Sequence, residues 1–240
     1  MMISLSMAGS CYDNHPFADP VISFVYFSFK VKDIMKKLGI EFYERKDVVA
    51  IAKELIGKIL VTKFDGLYTS GRIVETEAYI GLTDRASHSY GGKRTARNEH
   101  MYAPPGTAYI YVCYGMHHLF NVVTNRKDIP DAVLIRALEP IMGIEHMLLR
   151  TKKKEFDNTL TRGPGNAAKA LGISKERSGL SLYGNNIFIT ADELSAGYQL
   201  QRELIGSSKR IGVESAGDAA LLPYRFYLKG NQFVSGSPRR

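Results

Sequence analysis

GRIVETEAYI, residues 71–80, is the stretch whose reading decides the fold. It starts at a glycine, holds no proline and is rich in β-branched residues, which is the pattern of a strand. A strand turns alternate side chains to opposite faces. Ile73, Glu75, Glu77 and Tyr79 therefore share one face, and Arg72, Val74, Thr76, Ala78 and Ile80 the other. A carboxylate on a half-buried β-face is costly unless it is paired or employed. An edge strand with both acids in water is the plain alternative. Tyr79 on the same face weighs against it, and so does Arg136, a guanidinium inside the otherwise apolar VLIRALEP of residues 133–140. A buried Arg nearly always has a carboxylate partner. Together these residues point to a carboxylate held ionised by Arg136, with room for a water between them and the capacity to act as a general base toward that water.

Outward from this strand the chain alternates in type. Upstream, Asp47 stands as an N-cap, and Val48, Ile51, Ala52, Leu55, Ile56 and Ile59 recur at helical spacing up to Leu60, where ILVTKF takes over as a strand. Downstream, residues 81–106 are rich in Gly, Pro, Asn and Arg and read as a long surface loop, of the kind that usually carries function. TAYIYVC (107–113) and HHLFNVVT (117–124) then read as a hairpin joined at Tyr114-Gly115. A buried strand, DAVLIRALEP, comes next, followed by a helix from about Ile141 to Lys152 running into RTKKK. TRGPGN (161–166) reads as a loop opening the short helix AAKALGI, and later strands fall near SLYGNNIFIT and YRFYLKG. No repeat and no linker divides the chain after residue 40. Residues 1–34 match none of this patterning and read as an appendage, with one domain from 35 to 240.

Composition narrows the class. A chain of 240 residues that is 45% hydrophobic and 23% charged fits one globular domain with a full core. The apolar run Val21 to Phe29 is interrupted by Ser23 and Ser28, is too short to span a bilayer and follows no basic region, so neither a membrane span nor secretion is expected. Cys11 and Cys113 cannot build a disulfide framework, which fits a reducing, intracellular setting. His100, His117 and His118 fall in no metal-binding spacing, so no metal is expected. Lys and Arg outnumber Asp and Glu by 32 to 24, a net charge of +8 that favours a polyanionic partner.

The positions of the charges agree. HSYGGKRTARN (88–98) sets Lys93, Arg94 and Arg97 among small residues that let a phosphate backbone approach closely, although a merely solvated loop is equally consistent with that spacing. The hairpin strand places Tyr109, Tyr111 and Cys113 on one face, and its tip presents Tyr114 beside a glycine, an aromatic suited to wedge between base pairs. His88, Tyr111 and Asn121 are ordinary singly. In company they offer the stacking faces and edge-reading groups that an extruded nucleobase needs.

The segments GRIVETEAY, ASHSYGGKRTARN, MYAPPGTAYIYVCYGMHHLFNV, VLIRALEP, TRGPGNAAKALGI, RIGV and YRFYLKG, in this order from about residue 40 to about residue 235, resemble the alkyladenine (3-methyladenine) DNA glycosylase family. The resemblance implies a mixed α/β (α+β) single domain with a curved antiparallel sheet, flanking helices and a protruding hairpin that inserts into DNA. It implies a monofunctional enzyme that flips a damaged purine from duplex DNA and hydrolyses its N-glycosidic bond, using no cofactor and no metal. Glu77 takes the place of the water-activating residue, assisted by Arg136 and by the backbone carbonyl of Ile211. Tyr79 and Tyr111 fall on the stacking pair, His88 on the pocket wall and Asn121 on the amide that disfavours guanine. Tyr114 falls on the intercalating residue, and Lys93, Arg94, Arg97 and Met116 on contacts to the DNA backbone. Ala96 and Tyr90 depart from the pattern, where the family often has Pro and, in some members, Arg. The implied partner is double-stranded DNA containing damaged purines, bound by a monomer with no obligate protein partner and no membrane attachment. The implied location is cytoplasmic, with the nucleoid in a prokaryote, or nuclear in a eukaryote. Two other classes compete, a non-catalytic nucleic-acid binding module and a hydrolase of free nucleosides. The first has no use for a carboxylate near phosphates, and the second needs neither Tyr114 nor the basic loop.

Overall fold

Strand β2 (Leu67–Tyr79) contains the deciding stretch and is the spine of the sheet. The computed structural model describes residues 36–190 and 204–236. Residues 1–34, read above as an appendage, lie outside the described residues. Within them one eight-stranded sheet, antiparallel at every pairing, packs with short helices into a single mixed α/β domain.

One edge of β2 is lined from Ser70 to Tyr79 by β5 (Asp131–Met142). The other edge serves two neighbours. β1 (Ile59–Phe64) pairs with residues up to Arg72, and β8 (Arg225–Leu228) takes over at Glu75 to Glu77. The hand-over coincides with shifts in the β2–β5 register on either side of Glu75. Such bulges bend a strand and increase its twist, and this one re-aims the strand at the acids. It also corrects the simple alternation: Ile73 joins Val74 in the apolar core, so the face shared by Glu75, Glu77 and Tyr79 begins at Glu75. Beyond β1 lies β6 (Ile187–Thr190), and beyond β8 lies β7 (Ile205–Ser208), a short polar strand for which the sequence carries no clear strand signal. On the far side of β5 come β4 (His117–Thr124) and then β3 (Ala108–Cys113).

The helices expected after Asp47 and after Ile141 are shorter than the periodicity predicts. α1 (Ile40–Tyr43) leads into α2 (Val48–Glu54), which Asp47 caps by accepting the Ala50 amide at 2.9 Å. α2 ends before Gly57, whose φ of 89° favours a residue without a Cβ, and its buried Ile51 and Ala52 pack with Leu55 against the sheet. α3 (Ile144–Thr151) is bounded by Gly143 and Lys152, both in left-handed conformation. α4 (Pro164–Ala170) starts inside the stretch read as loop. Proline tolerates the first helical position, where its missing N–H has no partner to lose. Its alanines pack against β4 and β5. Among the described residues no helix is long and apolar enough to cross a membrane.

β3 and β4 form the expected hairpin, with Cys113 opposite His117 and Tyr114, Gly115 and Met116 in the turn. Tyr114 and Gly115 hold φ of 50° and 71°. Tyr114 is 86% exposed and Met116 71%, so two large apolar side chains stand in water at the tip.

Candidate active site

Glu75 and Glu77 are both fully buried, and Arg136 on the neighbouring strand lies between them. Its Nε donates to Glu75 Oε1 at 2.9 Å and its Nη1 reaches Glu77 Oε1 at 3.0 Å. Glu75 has further partners: Arg225 Nε at 2.7 Å and the Ser235 hydroxyl at 2.9 Å on Oε1, and the Ser235 amide at 2.7 Å on Oε2. Glu77 Oε1 also accepts the Ile211 amide at 2.8 Å, and its Oε2 accepts the Tyr79 hydroxyl at 2.7 Å. Burial pushes the Glu77 carboxyl above the usual carboxylate range. The Arg136 cation, the Ile211 amide and the Tyr79 hydroxyl pull it back in part.

One detail differs from the sequence reading. Arg136 touches Glu77 directly at 3.0 Å, where the sequence reading left room for a water, because its guanidinium bridges both acids. The Ile211 N–H is a further contact to Glu77, separate from the hold on the water that the resemblance implied for its carbonyl.

Tyr79, Arg136 and Ile211 screen Glu77 from a pocket of about 460 Å³, whose walls they share with His88, Tyr111, Asn121 and, at the mouth, Tyr114. The His88 ring meets Tyr111 edge-on at 4.5 Å between centroids, and its Nδ1 lies 2.9 Å from the Tyr109 hydroxyl. Burial, with Arg97 and Lys93 nearby, lowers the His88 pKa and favours the neutral ring. Asn121 is buried, its amide nitrogen donating to the Tyr109 carbonyl at 3.2 Å.

The loop above the pocket is knotted by Asn98. Its Oδ1 accepts from the Thr95 amide and hydroxyl, and its Nδ2 donates to the carbonyls of His88 and Lys93. Lys93 and Arg97 are exposed, and Arg97 lies over the Tyr111 ring at 5.8 Å while donating to the Val112 carbonyl. Arg94 is different. It is paired with Glu99 at 2.5 Å and Asp128 at 3.0 Å and lies over Tyr102 at 4.6 Å, which suits a brace for the loop.

Sequence reasoning missed Arg225, Ser235, Arg210, Asp84 and Asn98. The two arginines were open to the argument applied to Arg136, since each sits in a largely apolar segment, RIGV or YRFYLKG. Ser235, Asp84 and Asn98 act through loop geometry, which leaves no periodic trace. Among the described residues no group of three or more His, Cys, Asp or Glu is placed to hold a metal ion.

Comparison with known proteins identifies the family. The family described as Methylpurine-DNA glycosylase (MPG) matches residues 41–232. A protein of Desulfitobacterium hafniense named "Putative 3-methyladenine DNA glycosylase" is 46% identical over 209 residues, covering 84% of this chain and 99% of the relative. Proteins with the same name from Clostridium perfringens and Bacillus cytotoxicus are 43% and 46% identical, covering 83% and 81% of this chain and 98% and 97% of their own lengths. With a match over most of its length and relatives aligned almost end to end, the chain belongs to the methylpurine-DNA glycosylase family.

Proposed function

We propose that this protein is a monofunctional DNA glycosylase that removes alkylated purines from duplex DNA, with Glu77 as the base that activates water. The observation that carries the reading is the Glu77 carboxylate, held by Arg136, the Ile211 amide and Tyr79 directly behind an aromatic-lined pocket of about 460 Å³, ample for a flipped base. A purine alkylated on a ring nitrogen is cationic and leaves readily. Its N-glycosidic electron pair returns to the base as the sugar becomes oxocarbenium-like. Glu77, ionised, steadies that cation and takes a proton as the water oxygen bonds to C1′. Displacement of the Arg136 Nη1 from Glu77 on DNA binding gives the water its place between the two groups, and the Ile211 carbonyl is the second acceptor for it.

Tyr79 and Tyr111 stack on the flipped base, while His88 and Asn121 test its edge. The exposed Tyr114 fills the gap left in the helix. Lys93, Arg97 and Met116 meet the DNA backbone, and Arg94 orders the loop that presents them. Among the described residues no lysine lines the pocket, which favours water over an amine nucleophile and so no strand cleavage. The domain is assigned to residues 35–240, so a chain starting at Met35 should fold and excise, and loss of solubility in that chain would return residues 1–34 to the domain.

The deciding experiment incubates the protein with duplexes carrying one lesion each and with the corresponding free nucleosides. Alkali-labile sites at alkylpurines, with no break before alkali and no release from nucleosides, are expected. Release from nucleosides alone would make the protein a nucleoside hydrolase, and binding without any labile site would leave only a binding module.

A further inference from the structure

A second ion pair is as deeply buried as the Glu77 cluster. Arg210 and Asp84 have side chains 0% and 1% exposed, and two guanidinium nitrogens face the two carboxylate oxygens. The same guanidinium donates to the Ala78 carbonyl at 2.8 Å and the Ala219 carbonyl at 2.9 Å, and it lies over the Tyr79 ring at 4.7 Å. One side chain thus ties together the end of β2, the loop leading to His88, the short 3-10 helix Glu214–Leu221 that holds Ala219, and the segment that begins with Ile211.

A buried ion pair is weak evidence for stability, because desolvation offsets most of the attraction. What this pair supplies is geometry. Tyr79, against which Arg210 stacks, and Ile211, which follows it in the chain, provide donors to the two different oxygens of Glu77. We infer that Arg210, locked by Asp84, is a positioning residue for the glycosylase reaction, holding the Tyr79 ring and the Ile211 amide as one unit against Glu77. The inference rests on the reading of Glu77 as the base.

Its consequence is a pH effect. Glu77 faces Arg136 from β5, Glu75 and Tyr79 from its own strand, Arg225 opposite it on β8, and, within electrostatic reach, Tyr111 from β3 and Arg210 itself. The Ile211 amide and the Tyr79 hydroxyl both lower its pKa. Loosening the clamp weakens both, so the acid limb of excision should move to higher pH.

The test measures single-turnover excision of a ring-alkylated purine from a duplex, as a function of pH, for three proteins. They are the wild type, Arg210→Lys, and the double variant Arg210→Gln with Asp84→Asn. Lysine keeps the charge and loses the fork, while the double variant leaves no unpaired charge in the interior. Circular dichroism fixes an assay temperature at which each is folded. Upward displacement of the acid limb in both, with a plateau rate reduced about 10- to 100-fold, is expected from a misplacement on the ångström scale. An acid limb at the wild-type position in either folded variant makes the pair merely structural and overturns the inference. A wild type without an acid limb, or a Glu77→Gln protein with an unchanged rate, removes the base assignment itself, and the inference falls with it.

Discussion

Glu75 and Glu77 leave the same strand two residues apart, are equally buried and share Arg136, yet their surroundings differ. Glu75 accepts from two guanidinium groups and from both the hydroxyl and the amide of Ser235. Glu77 has one cation, one backbone amide and one phenol, and those three partners face the pocket. The difference teaches that burial alone does not make a carboxylate reactive. Compensation decides: an acid with its acceptor sites filled from the interior orders the fold, whereas one compensated by groups that a ligand can displace is available for chemistry.

The comparison breaks most directly at Glu77. Glu77→Gln keeps the shape and removes the charge, so excision should fall about 10²- to 10⁴-fold in a single-turnover assay while lesion binding persists. Its stability should move the other way. Because burial raises the folded-state pKa, the neutral form is favoured, and the associated stabilisation is present at low pH and lost as pH rises through the folded value. A permanently neutral Gln should therefore match or exceed the wild-type melting temperature at pH 7 to 8, with the gap closing toward acid. A Gln variant that melts well below the wild type at pH 7 would place Glu77 with Glu75.

Glu75→Gln should reverse the pattern. It leaves Arg225 buried without a carboxylate, a change of the kind that costs about 3–5 kcal/mol, or roughly 10 °C in a domain of this size. Any protein that remains folded should keep an acid limb. A normal melting temperature with the acid limb abolished would exchange the two assignments.

This contrast also marks what the sequence made legible. The alternation in RIVETEAY and the lone guanidinium in VLIRALEP were enough to bring Glu75, Glu77, Tyr79 and Arg136 together, because strand periodicity and the cost of a buried charge are local rules. Which acid does what was not legible from those rules. The bulge at Glu75, Ser235 arriving from near the chain end and Arg225 from β8 are long-range features. The hairpin was legible down to the residues at its tip, while β7 escaped because Ile205–Ser208 has little apolar character. α4 began earlier than expected because Pro164, which reads as a breaker, opens the helix.

Tyr114 offers a control that touches neither acid. Tyr114→Ala should lose about 1–3 kcal/mol of stacking, roughly one to two powers of ten in the flipped population. The loss should be large for a well-paired lesion and small for the same lesion in a mismatch, where little flipping work remains. The acid limb should stay in place. Equal losses on both duplexes would assign Tyr114 to the pocket or the fold.

The smallest expected effect separates compensation from catalysis within the Glu75 cluster itself. Ser235 gives Glu75 two bonds, one from its hydroxyl and one from its amide, and its hydroxyl also lies 3.3 Å from Arg136 Nη2. Ser235→Ala removes only the hydroxyl. Glu75 keeps the amide and both guanidinium groups, and Arg136 keeps Glu75 and Glu77. The loss should be that of one hydrogen bond to a charged group, about 1.5–3 kcal/mol at most, and below the cost of Glu75→Gln. Because Arg136 remains fixed at its Nε, its Nη1 still reaches Glu77, and the pH profile of excision should superimpose on that of the wild type. Melting temperature and pH profile measured on the one variant therefore decide the point. A shifted acid limb with little change in melting would mean that the hydroxyl acts on Glu77 through Arg136, and the two carboxylates would then have to be treated as one coupled site.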